Sequence, residues 1–395
     1  MKTKIIAALL LLISIALPAK KITVVVTNPN DVAVQNAPVL LKLDKYHQFA
    51  PDKRKKLAVF INNKQVSSQL DDMNGDSIAD ELVFLTDIPA KGKIKVAVKT
   101  ISDMQRKVFP TEMYTDLIQK NPDGTKKFVK EVSSTKNDMY NKLHHHGVAF
   151  ESALIGYRIY FDNKSTIDVY GKRKQQLELA TTSWYPTDEQ AAAGYGDDII
   201  RVFGSVGVGT VKGWDGKKAT HIDKFDKRTQ RIVASGNLRT VVESVVEGWQ
   251  YEGQKINMTV RYIMYARHRD AVCEVTASED INNLATGVQT IAGGPVYTNN
   301  SDLVGSWGTD FPVTDTVKYE KQTCGLGVYI PRQGLKYATE GLNNLYLMSY
   351  KKGETLRFYL TAAAQKEEKD TFRSPDQFFG YLREWSKTLK DLEVK

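Results

Sequence analysis

The chain has 395 residues, a formal net charge of +9 from 55 Lys and Arg against 46 Asp and Glu, and only two cysteines, Cys273 and Cys324. That length exceeds what one hydrophobic core usually serves, so two domains are expected. Nothing in the cysteine count resembles a thiol-based metal site, and the positive balance favours anionic partners.

The first elements form an export signal. Met1-Lys-Thr-Lys4 is followed by an almost purely apolar run from Ile5 to Leu17 and by Pro18-Ala19-Lys20. The apolar run is shorter than the ~20 residues that span a bilayer, so residues 1–19 are expected to be a secretory leader and not an anchor. No cysteine follows that run, and no later segment is apolar enough to cross a membrane. A soluble, periplasmic or secreted protein is expected, with no stable membrane insertion. Export argues against nucleic acid and leaves an anionic oligosaccharide as the natural partner. An oxidising compartment permits a Cys273–Cys324 bridge, and two buried thiols fit equally well.

Residues 20–105 read as short strands: Ile22–Thr27, Ala37–Leu43, Leu57–Ile61, Glu81–Leu85 and Lys93–Lys99, separated by turn residues such as Asn28-Pro29-Asn30. This spacing predicts a small N-terminal β-sandwich. Over 106–143 the strand signal fades into Lys, Asp, Asn, Thr and Ser, and a linker is expected. From 144 to 395 strand patterns return. Ala153–Phe161 and Ser165–Tyr170 predict a hairpin over Asp162-Asn163-Lys164. Arg239–Glu247 and Ile256–Tyr265 predict long antiparallel partners, and Ala271–Ala277, Leu326–Ile330, Leu345–Tyr350 and Thr355–Thr361 continue the series. Strands without alternating helices make this an all-β, antiparallel sandwich and not a parallel α/β sheet. Ser374, Pro375 and the three- to four-residue recurrence of Phe378, Phe379, Leu382, Trp385, Leu389 and Leu392 predict a C-terminal helix on that sandwich.

Three constellations carry chemistry. Half of the six histidines stand together as His144-His145-His146 before Gly147. Imidazole carries protons near neutral pH, and on an extended chain His144 and His146 would share a face. In the predicted hairpin, Arg158 and Tyr160 share one face, as do Asp168 and Tyr170, with Lys172 just beyond. Whether those faces coincide depends on a register that alternation alone does not fix. Tyrosine beside Arg or Lys can hold a lowered pKa, and Arg can grip a carboxylate. Third, Asp72, Asn74, Asp76 and Asp80 alternate around Gly75 like a calcium loop. The glycine is misplaced for an EF-hand and Phe84 stands where its bidentate Glu belongs, so a solvated Asx turn is the competing reading. Trp184 and Trp249 lie near turns and are candidates to stack on sugar, and His144 and His221 to bond it. Gly204, Gly207 and Gly209 lack the Lys-Ser/Thr of a phosphate loop.

Taken in order, Asp72–Asp87, His144-His-His-Gly147, Tyr157-Arg-Ile-Tyr-Phe161, Asp168-Val-Tyr-Gly-Lys172, Gly196–Val202 and Gly248-Trp249 resemble a family of exported Bacteroidetes proteins defined by a domain of unknown function. Members occur beside or fused to unsaturated glucuronyl hydrolases, and a related protein is an oligosaccharide dehydratase of the ulvan pathway. The resemblance implies a mutarotase-like β-supersandwich for the second domain. It also implies β-elimination of water from a terminal uronic acid, giving a 4,5-unsaturated uronyl sugar. That reaction needs a base for H5, an acid for the leaving hydroxide and a cation for the carboxylate. By residue type, His145 or His146 fits the base, Tyr170 the acid, and Arg158 with Lys172 the carboxylate. In a gluco-configured sugar H5 and O4 share a side, so one tyrosine can serve both transfers. No cofactor is required, and calcium would be structural only. A polysaccharide lyase would use the same groups. A non-catalytic sugar-binding protein predicts exposed Trp platforms without clustered proton carriers. A mutarotase would pair His with a carboxylate such as Glu151.

Overall fold

The computed structural model describes residues 20–369 and 371–395, and the expected leader lies outside them. Among the described residues no helix is long and apolar enough to cross a membrane. Alternation governs the first unit. In Lys21–Thr27 the even residues Ile22, Val24 and Val26 point inward, as period-2 patterning demands. Its five-stranded sheet runs Glu393–Val394, Lys21–Thr27, Lys93–Thr100, Leu57–Ile61, Lys64–Val66, against a three-stranded sheet of Val34–Lys42, Glu81–Ile88 and Ser68–Asp71. Val24, Val39, Leu41, Leu82, Phe84, Val96 and Val98 fill the space between. The C-terminus returns to this unit: Val25 and Lys395 exchange backbone bonds of 2.7 and 3.0 Å.

The second unit is an antiparallel supersandwich. Its nine-stranded sheet has the spatial order Glu131–Ser134, Lys227–Ser235, Arg239–Tyr251, Gln254–Tyr265, Asp270–Ala277, Leu356–Ala364, Gln322–Tyr329, Leu303–Asp310, Val296–Thr298. Opposite it lie two five-stranded sheets. One comprises Asp197–Asp198, Ile167–Gly171, Ile155–Tyr160, Gly147–Ser152 and Met113–Asp116, and the other is centred on Ile281–Gln289 and Asn343–Tyr350. Tyr157, Ile159, Val169, Val242, Met264, Val275, Leu284, Leu326, Tyr346 and Phe358 form the shared core. The long hairpin turns at Glu252 and Gly253, both at positive φ (49° and 74°), the geometry that suits strand twist. Cys273 and Cys324 are buried and unbridged.

The expected linker of 106–143 is instead woven into the second unit. Met113–Asp116 pairs with Gly147–Ser152, and Glu131–Ser134 pairs with Lys227–Ser235. Between them Ile118–Lys120 and Lys126–Phe128 form a hairpin of their own. Edge strands are short and charged, a composition that reads as a linker.

The C-terminal helix, Pro375–Lys387, starts where Ser374 accepts a bond from the Gln377 amide, and it ends before Leu389 and Leu392. Phe378, Phe379 and Leu382 lie on Gly305, Gly325 and Gly327 of the nine-stranded sheet, where any side chain would collide with them. A Cβ at Gly325 would stand 2.5 Å from the Phe378 ring. Gly325→Ala is expected to cost about 1–3 kcal/mol by overpacking and Phe378→Ala about 3–5 kcal/mol by cavity formation, both read as shifts in urea denaturation.

Candidate functional site

The five-stranded sheet that ends at Met113–Asp116 has an apolar face toward the core. Its other face, which an ordinary antiparallel sheet turns to water, carries charge under a cover. Register sets two rows across the strands. Asp116, Ala149, Arg158 and Asp168 form one row; Tyr114, Glu151, Gly156, Tyr170 and Asp198 form the next. The faces bearing Arg158 and Asp168 therefore coincide. The segment Arg173–Gly196, with its short helix Asp188–Ala192, folds over both rows. It places Leu179 against the bare Cα of Gly156, and Trp184 against Tyr170.

Arg158 is the hub. Its Nε and Nη2 donate to Asp168 Oδ2 at 2.9 and 2.5 Å, and Nη2 reaches Tyr160 Oη at 2.7 Å and Asp198 Oδ2 at 3.3 Å. Tyr160 donates to Asp168 at 2.5 Å and Tyr185 to Asp198 at 2.7 Å. The guanidinium lies 4.2 Å over the Trp184 ring. In the second row Lys172 pairs with Glu151, whose other oxygen accepts the Glu178 and Leu179 amides at 2.7 and 2.8 Å. Glu178 in turn accepts from Tyr170 Oη at 2.7 Å and from the Gly196 amide at 2.8 Å. Two carboxylates thus fasten the cover at both ends.

The histidine triplet does not extend. His145 and His146 adopt left-handed φ of 51° and 62°, and the three residues form a tight turn, so their side chains do not alternate as on a strand. His145 is 4% exposed, with Nε2 3.3 Å from the Leu179 carbonyl and 3.6 Å from Asp116 Oδ2. His144 and His146 are half-buried. The His146 ring stacks on Tyr140 at 3.8 Å, and its Nδ1 lies 2.9 Å from the Tyr140 carbonyl. Burial pushes both His144 and His146 down to about 4, so each is a neutral imidazole at neutral pH. Trp184 is also left-handed, at φ 80°, and its ring is 5.7 Å from His145. His145 thus touches one strained residue in Trp184 and adjoins another in His146, each costing about 1–3 kcal/mol, so the surrounding structure over-determines this patch.

Tyr170 is not activated as the sequence suggested. Burial, then the charge of Glu178, raises its phenol above the ordinary value. Burial followed by a neighbouring aspartate does the same to Tyr160 and Tyr185. These phenols hold their protons. Burial, then Asp168, also pushes Asp198 well up. Five carboxyl groups (Asp116, Glu151, Asp168, Glu178 and Asp198) surround two cations, Arg158 and Lys172, each already engaged by a carboxylate of its own. Neither cation is free for a substrate carboxylate, the role their residue types suggested.

His221 and Trp249 lie outside this group. His221 Nδ1 is 3.1 Å from Lys212 Nζ, an amine that burial lowers to about 7. Trp249 is core, stacked on Tyr251 at 4.3 Å. The oxygens of Asp72, Asn74, Asp76 and Asp80 are turned onto their own loop: Asp72 accepts from Gly75 and Ser77, Asn74 from Asp76, Asp76 from Ile78, and Asp80 from Met73. Among the described residues no group of three or more His, Cys, Asp or Glu is placed to hold a metal. Glu178, Asp198 and Asp116 were not singled out from the sequence. Their signal was polar residues within strands and turns that flank the hairpin, and it needs the register to be read.

A groove of about 1050 Å³ lies elsewhere, between the small sandwich and the outer face of the nine-stranded sheet. Its arginines are committed: Arg239 to Asp71 and Glu81, Arg261 to Glu243, and Arg357 to Glu274 and Asp391. It is a seam between domains.

The fold and this face define an all-β, two-unit protein with an acid–base cluster beneath a covering segment. The chain belongs to the family described as a domain of unknown function, DUF4861, which matches residues 26–394. No curated protein matches it. Among solved structures, a glycosyl hydrolase family 38 protein from Enterococcus faecalis is 9% identical, with 94% of this chain and 47% of that one covered and a TM-score of 0.43. An alpha-mannosidase from Enterococcus faecalis V583 is 10% identical, with 96% and 46% covered and a TM-score of 0.44. The chain spans less than half the length of either.

Lys172→Met is expected to cost about 3–5 kcal/mol in chemical denaturation, because Glu151 stays buried without its cation. A pH effect follows from the histidines. Unfolded imidazoles titrate near 6.5 and these two near 4, so between those values the unfolded chain binds more protons. Their contribution to stability is therefore lost as pH falls from about 6.5 toward 4. A His144→Gln/His146→Gln variant should show a shallower loss of urea midpoint over that window than the native chain.

Proposed function

We propose that this protein is an exported, carbohydrate-active enzyme of the lyase type that removes water from a terminal uronic acid of an oligosaccharide, leaving a 4,5-unsaturated uronyl sugar. The observation that carries the reading is the meeting of neutral imidazoles and protonated phenols at one strained patch: His146 lies 6.3 Å, ring to ring, from Tyr160. A neutral imidazole can take H5 and a phenol can deliver its proton to O4. The C5–H and C4–O bonds then break, the C4–C5 double bond forms and water leaves. His146, half-open to solvent, is the base and Tyr160 the acid. His145, buried against the Leu179 carbonyl, holds the turn that presents His146. Arg158 and Asp168 hold the Tyr160 hydroxyl, Arg158 stabilises the phenolate left behind, and the H5 proton on His146 returns to Tyr160 through water before the next turnover.

A purely sugar-binding role does not account for the meeting of His146 and Tyr160 at this patch, while Trp184, Trp249, Trp307 and Trp385 are buried and only Trp214 is partly exposed. The decisive experiment incubates the protein with saturated glucuronyl oligosaccharides. Absorbance of the conjugated enol ether with loss of one water by mass is the expected outcome. Shortened chains would make it a chain-cleaving lyase, and no change in either signal would overturn the enzymatic reading. His146→Ala should slow turnover roughly a hundredfold or more. The rate should stay flat on the acid side of neutrality and fall only as pH approaches about 4, where His146 protonates.

A further inference from the structure

Elimination at a uronyl sugar needs a cation for the carboxylate, and the buried cluster has none to spare. The hairpin of Ile118–Lys120 and Lys126–Phe128 supplies two. Lys120 and Lys126 stand directly opposite each other in its register. Like charges so placed destabilise a hairpin unless something anionic lies between them. Among the described residues neither lysine has an ion-pair partner. The acid of the hairpin, Asp123, is at its tip, where the carboxylate accepts from the Thr125 amide and hydroxyl at 2.9 and 2.7 Å. Alternation puts Ile118 and Phe128 on the same face as the lysines, and Phe128 is 54% exposed. That face combines an aromatic ring with paired ammonium groups, the chemistry that stacks on a sugar ring and neutralises its acid.

The hairpin also adjoins the histidines. A bridge between Gln119 and Leu143 sets it beside the residue that precedes His144. The charges of Lys126 and Lys120 both act on His144, and that of Lys120 on His146. We propose that Lys120 and Lys126, with Phe128, form the subsite that binds the carboxylate of an acid sugar at the entrance to the His144–His146 patch. The inference rests on the reading of the substrate as a uronyl oligosaccharide and assigns its recognition to residues that the reaction itself does not name.

The test is binding measured by calorimetry with a saturated glucuronyl oligosaccharide and with its carboxyl-reduced, uncharged counterpart. The native protein should prefer the charged ligand, in a salt-dependent way. Lys120→Ala/Lys126→Ala and Lys126→Glu should each weaken the charged ligand about tenfold or more, flatten the salt dependence and leave the uncharged ligand as it was. Lys126→Glu sets a carboxylate against Lys120, so its melting temperature should hold or rise, which separates lost binding from lost folding. No preference for the charged ligand in the native protein, or equal affinity in the variants, overturns the proposal. Product assays run in parallel keep the two claims apart. Lysine-dependent binding without product leaves the subsite standing and removes the dehydratase reading. Product formed with an unchanged KM in Lys126→Glu does the reverse.

Discussion

One ion pair fixes the geometry on which the rest depends. Glu151 sits at the middle of a sheet face that would otherwise be wet, and its two oxygens have different tasks: one takes Lys172, the other takes the amides of Glu178 and Leu179. Burial raises the Glu151 carboxyl, and Lys172 and the amides pull the other way. A buried charge is tolerated only with this degree of satisfaction. The same bonds tie the covering segment to the strand beneath, so the cover and the charge stabilise each other. Neither could persist alone: without the cover the pair would be ordinary surface charge, and without the pair the cover would bury unpaired amides. The arrangement also sets register. A slip by one residue would turn Arg158 and Asp168 into the apolar core and bring Tyr157 and Val169 out.

Held in that way, the face can impose strain on what touches it. His145, His146 and Trp184 are left-handed without being glycine, and all three are restrained from several sides: His145 by the Leu179 carbonyl and Asp116, His146 by Tyr140, and Trp184 by Arg158 and Tyr170. His145 is inside and His144 and His146 are half-buried, held there by a left-handed turn and not by strand alternation. Partial burial then keeps those two rings neutral while deeper burial raises the phenols, so one gradient of solvent access sets both protonation states.

Much of this fold is legible in the sequence, and the reasons are local. Ile22, Val24 and Val26 alternate because one face of their strand is wet, and the helix over Phe378, Phe379 and Leu382 repeats because one face is dry. The reading fails where local pattern and environment part. The strands at Met113–Asp116 and Glu131–Ser134 look like linker because edge strands must be polar. Arg158 looks like a ligand for substrate, but its neutralising partners Asp168 and Asp198 come from other strands, and only register reveals them. The turn at His145 and His146 carries no sequence mark, since left-handed backbone is foretold by glycine or asparagine and not by histidine. Trp249 resembles any other tryptophan near a turn until its partner Tyr251 is seen stacked beneath it.

On the proposed reading, the distribution of charge would separate recognition from chemistry, because a cation that holds a substrate carboxylate cannot also be neutralised by the protein. Arg158 and Lys172, enclosed among five carboxyl groups, spend their charge on holding the sheet face together. Lys120 and Lys126 lie on a hairpin with no acid but its tip, Lys126 exposed and Lys120 partly so. Between these two fields stand His144 and His146. The lysines disfavour protonated imidazole, and in the proposed elimination they would favour the enolate-like charge that forms as H5 departs. The patch thus has cations on one side and buried carboxyl groups on the other. Its polarity follows from which strands of the sheet are covered and which end as edges.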